Sequence, residues 1–106
     1  MLRIIREDTT RVIGPWLMFK KQVGTRVEAL RLAFGLPSQG EMADMLRVET
    51  GTYNHWTTGK ALIPVPAAIR LCELTGATLD YVYRGDVSGL PIRLIRLLPV
   101  DSSGGG

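Results

Sequence analysis

The sequence holds one histidine, His55, and one cysteine, Cys72. A histidine–cysteine zinc site takes four such ligands, so none can form within one chain. The single thiol excludes an internal disulfide, and on an apolar helical stretch it reads as a packing residue. No serine, histidine and carboxylate assemble into a nucleophilic relay, and no glycine-rich phosphate loop follows a strand. Catalysis, a metal, a cofactor and a small-molecule ligand are therefore not expected. Hydrogen-bonding chemistry remains. Residues 50–60 read TGTYNHWTTGK, in which Thr50, Thr52, Asn54, His55, Thr58 and Lys60 alternate with Tyr53 and Trp56. On a helix the spacing of three puts both rings on one face. Tyr53 and Trp56 thus read as core, and the polar residues as the opposite, solvent-facing surface.

That surface needs an element to hold it. Ser38 is a good helix N-cap, and Glu41 three residues later completes a capping box. Met42, Ala43, Met45 and Leu46 supply an apolar face, and Val48 can turn inward from the connection that follows. The helix over Thr50–Thr57 comes next, with Gly59 as its stop. Two short helices joined by about three residues cross steeply and need a small residue at the crossing, for which Ala43 is placed. In this arrangement the second helix can offer its polar face to a DNA major groove.

The flanking sequence predicts helices around this pair. Val23, Val27, Leu30 and Phe34 share one face, and Gly35 stands where a C-terminal cap is expected. Pro64 and Pro66 suit the start of a fourth helix, whose face is Ala68, Ile69, Leu71 and Cys72, and Gly76 ends it. Thr78 caps a fifth helix carrying Leu79, Val82 and Tyr83, closed by Gly85. The expected fold is all-α, a compact five-helix domain over residues 23–86. Residues 1–22 form an N-terminal extension without an assigned role, in which Met1 to Arg11 reads as an arm, a short strand or a frayed helix. Residues 87–106 combine an apolar segment with a Ser/Gly tail. Within it, Leu90 to Leu98 fits neither helical nor strand period. It can pack against the N-terminal segment, form a dimer contact or lie on a membrane.

The stretch SQGEMADMLRVETGTYNHWTTGK resembles the Cro and cI repressor type of helix-turn-helix domain, the XRE family. The match runs through Ser38, Gln39, Met42, Ala43, Met45, Leu46, Val48, Tyr53, Trp56, Gly59 and Pro64. The later IRLCELTGATLDYVYRGDVSGLP resembles the family's fourth and fifth helices. The resemblance implies a lambda-repressor-like fold and a sequence-specific regulator binding double-stranded DNA as a homodimer, in the manner of a repressor or a prophage or antitoxin-type regulator. It assigns Thr50, Gly51 and His55 to base edges, and Thr52 and Asn54 flank this face as further base contacts. It assigns Gln39, Thr58 and Lys60 to phosphates, with Arg47 and Arg26 further candidates. Three positions depart from the pattern. Arg47 replaces a turn glycine, where a left-handed residue costs roughly 1 kcal/mol, unless the turn adjusts. Gly51 removes a side chain from the recognition helix, and Thr57 replaces a glutamate. A second function class stays open: the same fold used as a protein-interaction or dimerisation module.

Composition sets outer limits. With 106 residues, one domain is the default. At 45% hydrophobic and 22% charged, the chain is neither largely disordered nor a coiled coil. Val12 to Phe19, the longest apolar run near the start, is far short of the roughly 20 residues a membrane span needs. Glu7 and Asp8 interrupt what would otherwise imitate a signal peptide, so no membrane partner and a cytoplasmic location are expected. The net charge of +3 is compatible with a polyanionic partner but does not demonstrate one. Over residues 38–60, Arg47 and Lys60 face Glu41, Asp44 and Glu49, a net −1 before His55 is counted.

Overall fold

The structure, a computed structural model, describes residues 2–99, with side chains from Gly14 onward. The Ser/Gly tail and the side chains of Arg3, Arg6 and Arg11 lie outside the described residues. Six helices follow one another: α1 (Leu2–Ala33), α2 (Gln39–Leu46), α3 (Thr50–Thr57), α4 (Val65–Thr75), α5 (Leu79–Arg84) and α6 (Ile92–Leu97). No strand occurs among the described residues. The all-helical expectation holds, while the count of five becomes six.

The sixth helix comes from the segment that fitted no period. Leu90 and Leu94 are four residues apart and both join the core, whereas Ile92, Ile95 and Leu97 face outward. The expected boundary between residues 22 and 23 also disappears, because α1 runs through it. Gly14 and Pro15 lie inside α1. Proline removes one backbone donor and weakens a helix interior by about 3 kcal/mol, which is why residues 1–22 did not read as a helix.

The other helix ends follow local chemistry. Gly35 adopts φ +86°, and the amides of Gly35 and Leu36 return to the carbonyls of Leu32 and Arg31. This pair of bonds satisfies carbonyls that the last turn of α1 leaves open. Ser38 caps α2: its Oγ accepts from the Glu41 amide at 3.2 Å. Glu41 answers through the Ser38 hydroxyl, at 3.2 Å. Thr78 caps α5 by accepting from the Tyr81 amide at 3.0 Å.

The core collects Val23, Val27 and Leu30 of α1, Met42, Ala43 and Leu46 of α2, Tyr53 and Trp56 of α3, Ala68 and Leu71 of α4, Tyr81 and Val82 of α5, and Leu94 of α6. Four residues expected on inner faces sit further out. Phe34 follows the end of α1 and is exposed, as are Met45, Ile69 and Leu79. Each lies at the edge of an apolar stripe, where periodicity alone does not fix the direction of burial. Tyr81 and Thr75 take inner positions instead. Cys72 is half-buried against the core and burial pushes its thiol pKa up, in keeping with a packing role. No helix among the described residues is long and apolar enough to cross a membrane.

Candidate nucleic-acid interface

The geometry of the α2–α3 pair depends on residues 47–49. Arg47 has φ 60° and ψ 44°, a left-handed conformation, and its amide bonds to the carbonyls of Ala43 and Asp44. The Val48 amide also reaches the Ala43 carbonyl, at 3.0 Å. Arginine therefore stands in the strained position that usually goes to glycine; the turn is kept rather than adjusted. Ala43 is fully buried, and its small side chain lets α3 approach α2.

The inner face of α3 is Tyr53 and Trp56, whose rings meet edge to face with centroids 6.2 Å apart. Their burial leaves Thr50, Gly51, Thr52, Asn54, His55, Thr58 and Lys60 exposed. All five residues assigned to base edges thus lie on the solvent side of α3, and Arg47, Thr58 and Lys60, assigned to phosphates, are exposed beyond its two ends. Gln39, the fourth, is half-buried.

The surroundings of Gln39 reveal a polar network that the sequence alone did not suggest. Its Nε2 donates to Glu28 Oε1 at 3.1 Å and to Thr57 Oγ1 at 3.3 Å, while its Oε1 accepts from Asn54 Nδ2 at 3.1 Å. The Tyr53 hydroxyl donates to Glu28 Oε2 at 2.9 Å. Arg31 Nη2 donates to Glu28 Oε1 at 2.8 Å, and Arg31 Nη1 to the Leu36 carbonyl at 2.7 Å. One carboxylate on α1 therefore ties α2 through Gln39, α3 through Tyr53, and the end of α1 through Arg31. Burial alone would raise the Glu28 pKa. The hydrogen bonds from Arg31, Gln39 and Tyr53 together outweigh burial and hold it below the ordinary carboxylate value. Burial, followed by the neighbouring Glu28 charge, pushes the Tyr53 phenol up, so it stays a donor.

Around α3 the remaining polar groups divide by availability. The hydroxyls of Thr57 and Thr58 both bond back to the Asn54 carbonyl, at 3.0 Å each. The Thr58 hydroxyl therefore spends its proton within the helix end. Arg26 is corrected as a phosphate candidate: it is 6% exposed and its Nη1 donates to the Val82 carbonyl at 3.2 Å. Its guanidinium lies against Gly85, where a Cβ would come within 2.8 Å of Nη2.

The backbones of α1 and α3 approach closely at Gly24. A Cβ there would fall 2.3 Å from the Trp56 carbonyl oxygen and 2.7 Å from that of Thr57. A glycine inside an otherwise regular apolar repeat signals this kind of backbone approach, and it was the available clue. Between α1 and the end of α6, Ala29, Leu32, Ala33, Leu97, Leu98 and neighbours line an open apolar groove of about 610 Å³, bordered by Glu28 and Thr57. The chain matches no family model, no curated protein and no solved structure.

Proposed function

We propose that the chain is a sequence-specific DNA-binding regulator that inserts α3 into the major groove. The observation carrying this reading is the division of α3 into two faces. Tyr53 and Trp56 anchor one face in the core, and Thr50, Thr52, Asn54 and His55 crowd the other. A hydrogen-bonding surface on a short helix, packed on a preceding helix across a tight turn, suits a groove reader. Asn54 can pair with adenine, His55 can donate to guanine N7 or O6, and Thr50 can contact a thymine methyl. Arg47 and Lys60 are positioned in the sequence for the flanking phosphates, together with the Gln39 end of α2, whereas the Thr58 hydroxyl gives its proton to the Asn54 carbonyl. Regulation follows by occupancy: a bound protein covers a promoter and excludes polymerase.

Affinity from one copy is limited, because the motif carries net −1 and phosphate contacts supply most non-specific binding. A two-fold pair reading two half-sites about 34 Å apart overcomes this. The exposed Ile92, Ile95 and Leu97 of α6 offer the apolar area for such a contact.

The second reading is a protein-interaction module on the same scaffold. The negative charge of the motif and the commitment of the Gln39 amide to Glu28, Thr57 and Asn54 favour it. Selection from a randomised duplex library at low salt, with full-length protein, decides between them. An enriched palindrome is the expected result and yields the half-site spacing. A folded, helical protein that enriches nothing overturns the DNA reading and leaves the interaction module.

A further inference from the structure

Thr58 and Lys60 flank Gly59 at the end of α3, and α1 covers that glycine. A Cβ on Gly59 would sit 2.5 Å from Cγ of Lys21 and 3.0 Å from its Cα. The backbone of α1 thus occupies the space a side chain would need, and Gly59 holds φ +80°. Gly24 lies three residues further along α1, against the Trp56 and Thr57 carbonyls. Residues three apart share a helix side, so a single side of α1 tracks the C-terminal end of α3. On that side Lys21 is exposed, and Lys60 is exposed across the turn. The adjacent Lys20 ammonium rests 5.7 Å from the centroid of the Trp16 ring. Neither Lys21 nor Lys60 forms an ion pair with the acids of the α2–α3 segment.

We infer that α1 belongs to the nucleic-acid surface: Lys21, seated against Gly59, forms with Lys60 a two-lysine site for the phosphodiester backbone of duplex DNA. The inference rests on the DNA-binding reading above and deepens it. Charge supports it. A duplex presents one negative charge per roughly 1.7 Å, and residues 38–60 are net −1 even with Arg47 and Lys60 counted. Lys21 adds a third cation from a helix that packs against this segment. The site sits at the end of α3, clear of the base-reading side chains, so it adds affinity without sequence preference.

Fluorescence anisotropy tests this with the full chain, using a duplex enriched in the selection and a scrambled duplex of equal length, between 50 and 200 mM KCl. Each phosphate contact contributes about 0.9 to the slope of log affinity against log salt, which is ~3.5-fold in affinity over that fourfold salt range. Lys21→Gln and Lys60→Gln should each lower the slope by about 0.9, and both duplexes should weaken by the same factor. Lys21→Arg should keep the wild-type slope. Arg84→Gln removes the same charge from the end of α5. The α5 end meets Arg26, which is two residues and about 200° around α1 from Gly24; its slope should not change. Glutamine retains the Lys21 Cγ, so melting followed by circular dichroism should be unaltered. A wild-type slope in Lys21→Gln, or an equal loss in Arg84→Gln, overturns the two-lysine site while leaving the DNA reading intact. Failure of the wild-type protein to bind either duplex overturns both.

Discussion

Arg47→Gly separates the stability of the α2–α3 turn from its proposed contact with DNA, because the two should move in opposite directions. Arg47 holds φ 60° and ψ 44°. For an L-residue this conformation costs about 1–2 kcal/mol. Glycine removes that strain but gives the unfolded chain more freedom, a loss of about 0.5–1 kcal/mol. The net gain is about 0.5–1 kcal/mol, or ~3–6 °C in Tm for a domain near 100 residues. Arg47→Ala keeps the strain and serves as the reference. Urea denaturation of both variants should place Arg47→Gly about 1 kcal/mol above Arg47→Ala. If Arg47 also meets a phosphate, both variants should bind duplex DNA less tightly, with a salt slope lower by about 0.9. A glycine variant no more stable than the alanine variant refutes the left-handed strain. A stabilised variant with an unchanged salt slope leaves the turn argument standing and removes Arg47 from the interface.

Three further outcomes follow from the packing. Gly24→Ala should destabilise by about 1–3 kcal/mol in chemical denaturation, because the new methyl meets the Trp56 carbonyl oxygen at 2.3 Å; a gain, as helix propensity alone would give, would show that α1 and α3 are not in close contact. Glu28→Gln should cost about 2 kcal/mol at pH 7, since it removes a charged acceptor from Arg31, Gln39 and Tyr53. The folded Glu28 pKa is lowered from an ordinary value near 4.5, so the unfolded state binds the proton more readily. The stabilisation is therefore fully present above pH 4.5 and is lost as pH falls through the folded value. Denaturation from pH 7 to 3 should show the gap between wild type and Glu28→Gln closing only below about pH 4.5. Ile92→Lys with Ile95→Glu should leave the monomer fold intact and lower the oligomer fraction in sedimentation; an unchanged distribution would move the two-fold contact away from α6.

Most of the scaffold around the candidate interface was readable because its signals are local. Ser38, Thr78, Gly35, Gly76 and Gly85 mark helix ends through caps and left-handed turns, which need only neighbouring residues. The bounds of α3 followed from Tyr53 and Trp56 three residues apart. The first half of α1 did not follow, because Gly14 and Pro15 argue locally against the helix that contains them. Leu90 and Leu94 carry α6 with one helical repeat, too short to set a period in a segment that is apolar at most of its positions. Burial at stripe edges was also illegible: Phe34, Met45 and Ile69 are exposed, and periodicity does not fix which edge of a stripe is covered. The Glu28 network was the least legible feature. Its partners lie at positions 31, 39 and 53, and no periodicity connects a carboxylate on α1 with an amide on α2 and a phenol on α3.

That network bears on how a motif with few cations can still present a defined surface. Apolar contacts fix how far α3 stands from α2, but they are non-directional and leave rotation of a short helix weakly specified. Hydrogen bonds are directional. Tyr53 bonds to Glu28 from the inner face of α3, and Asn54 bonds to Gln39 from the next position around. Bonds on adjacent positions, about 100° apart on the helix, resist rotation in both senses. Asn54 is at once a candidate reader of adenine and part of this lock. Its Nδ2 gives one proton to Gln39, which leaves the second proton and Oδ1 for a base. Gln39 thus orients the Asn54 amide through one protein hydrogen bond, worth about 1 kcal/mol. Gln39→Ala, which releases the Asn54 amide and also removes the bonds to Glu28 and Thr57, should weaken the fold by about 1–3 kcal/mol and narrow the penalty for replacing the adenine partner. If it instead abolishes discrimination at that base while the fold remains intact, Gln39 reads the operator itself and the lock is not the source of the positioning.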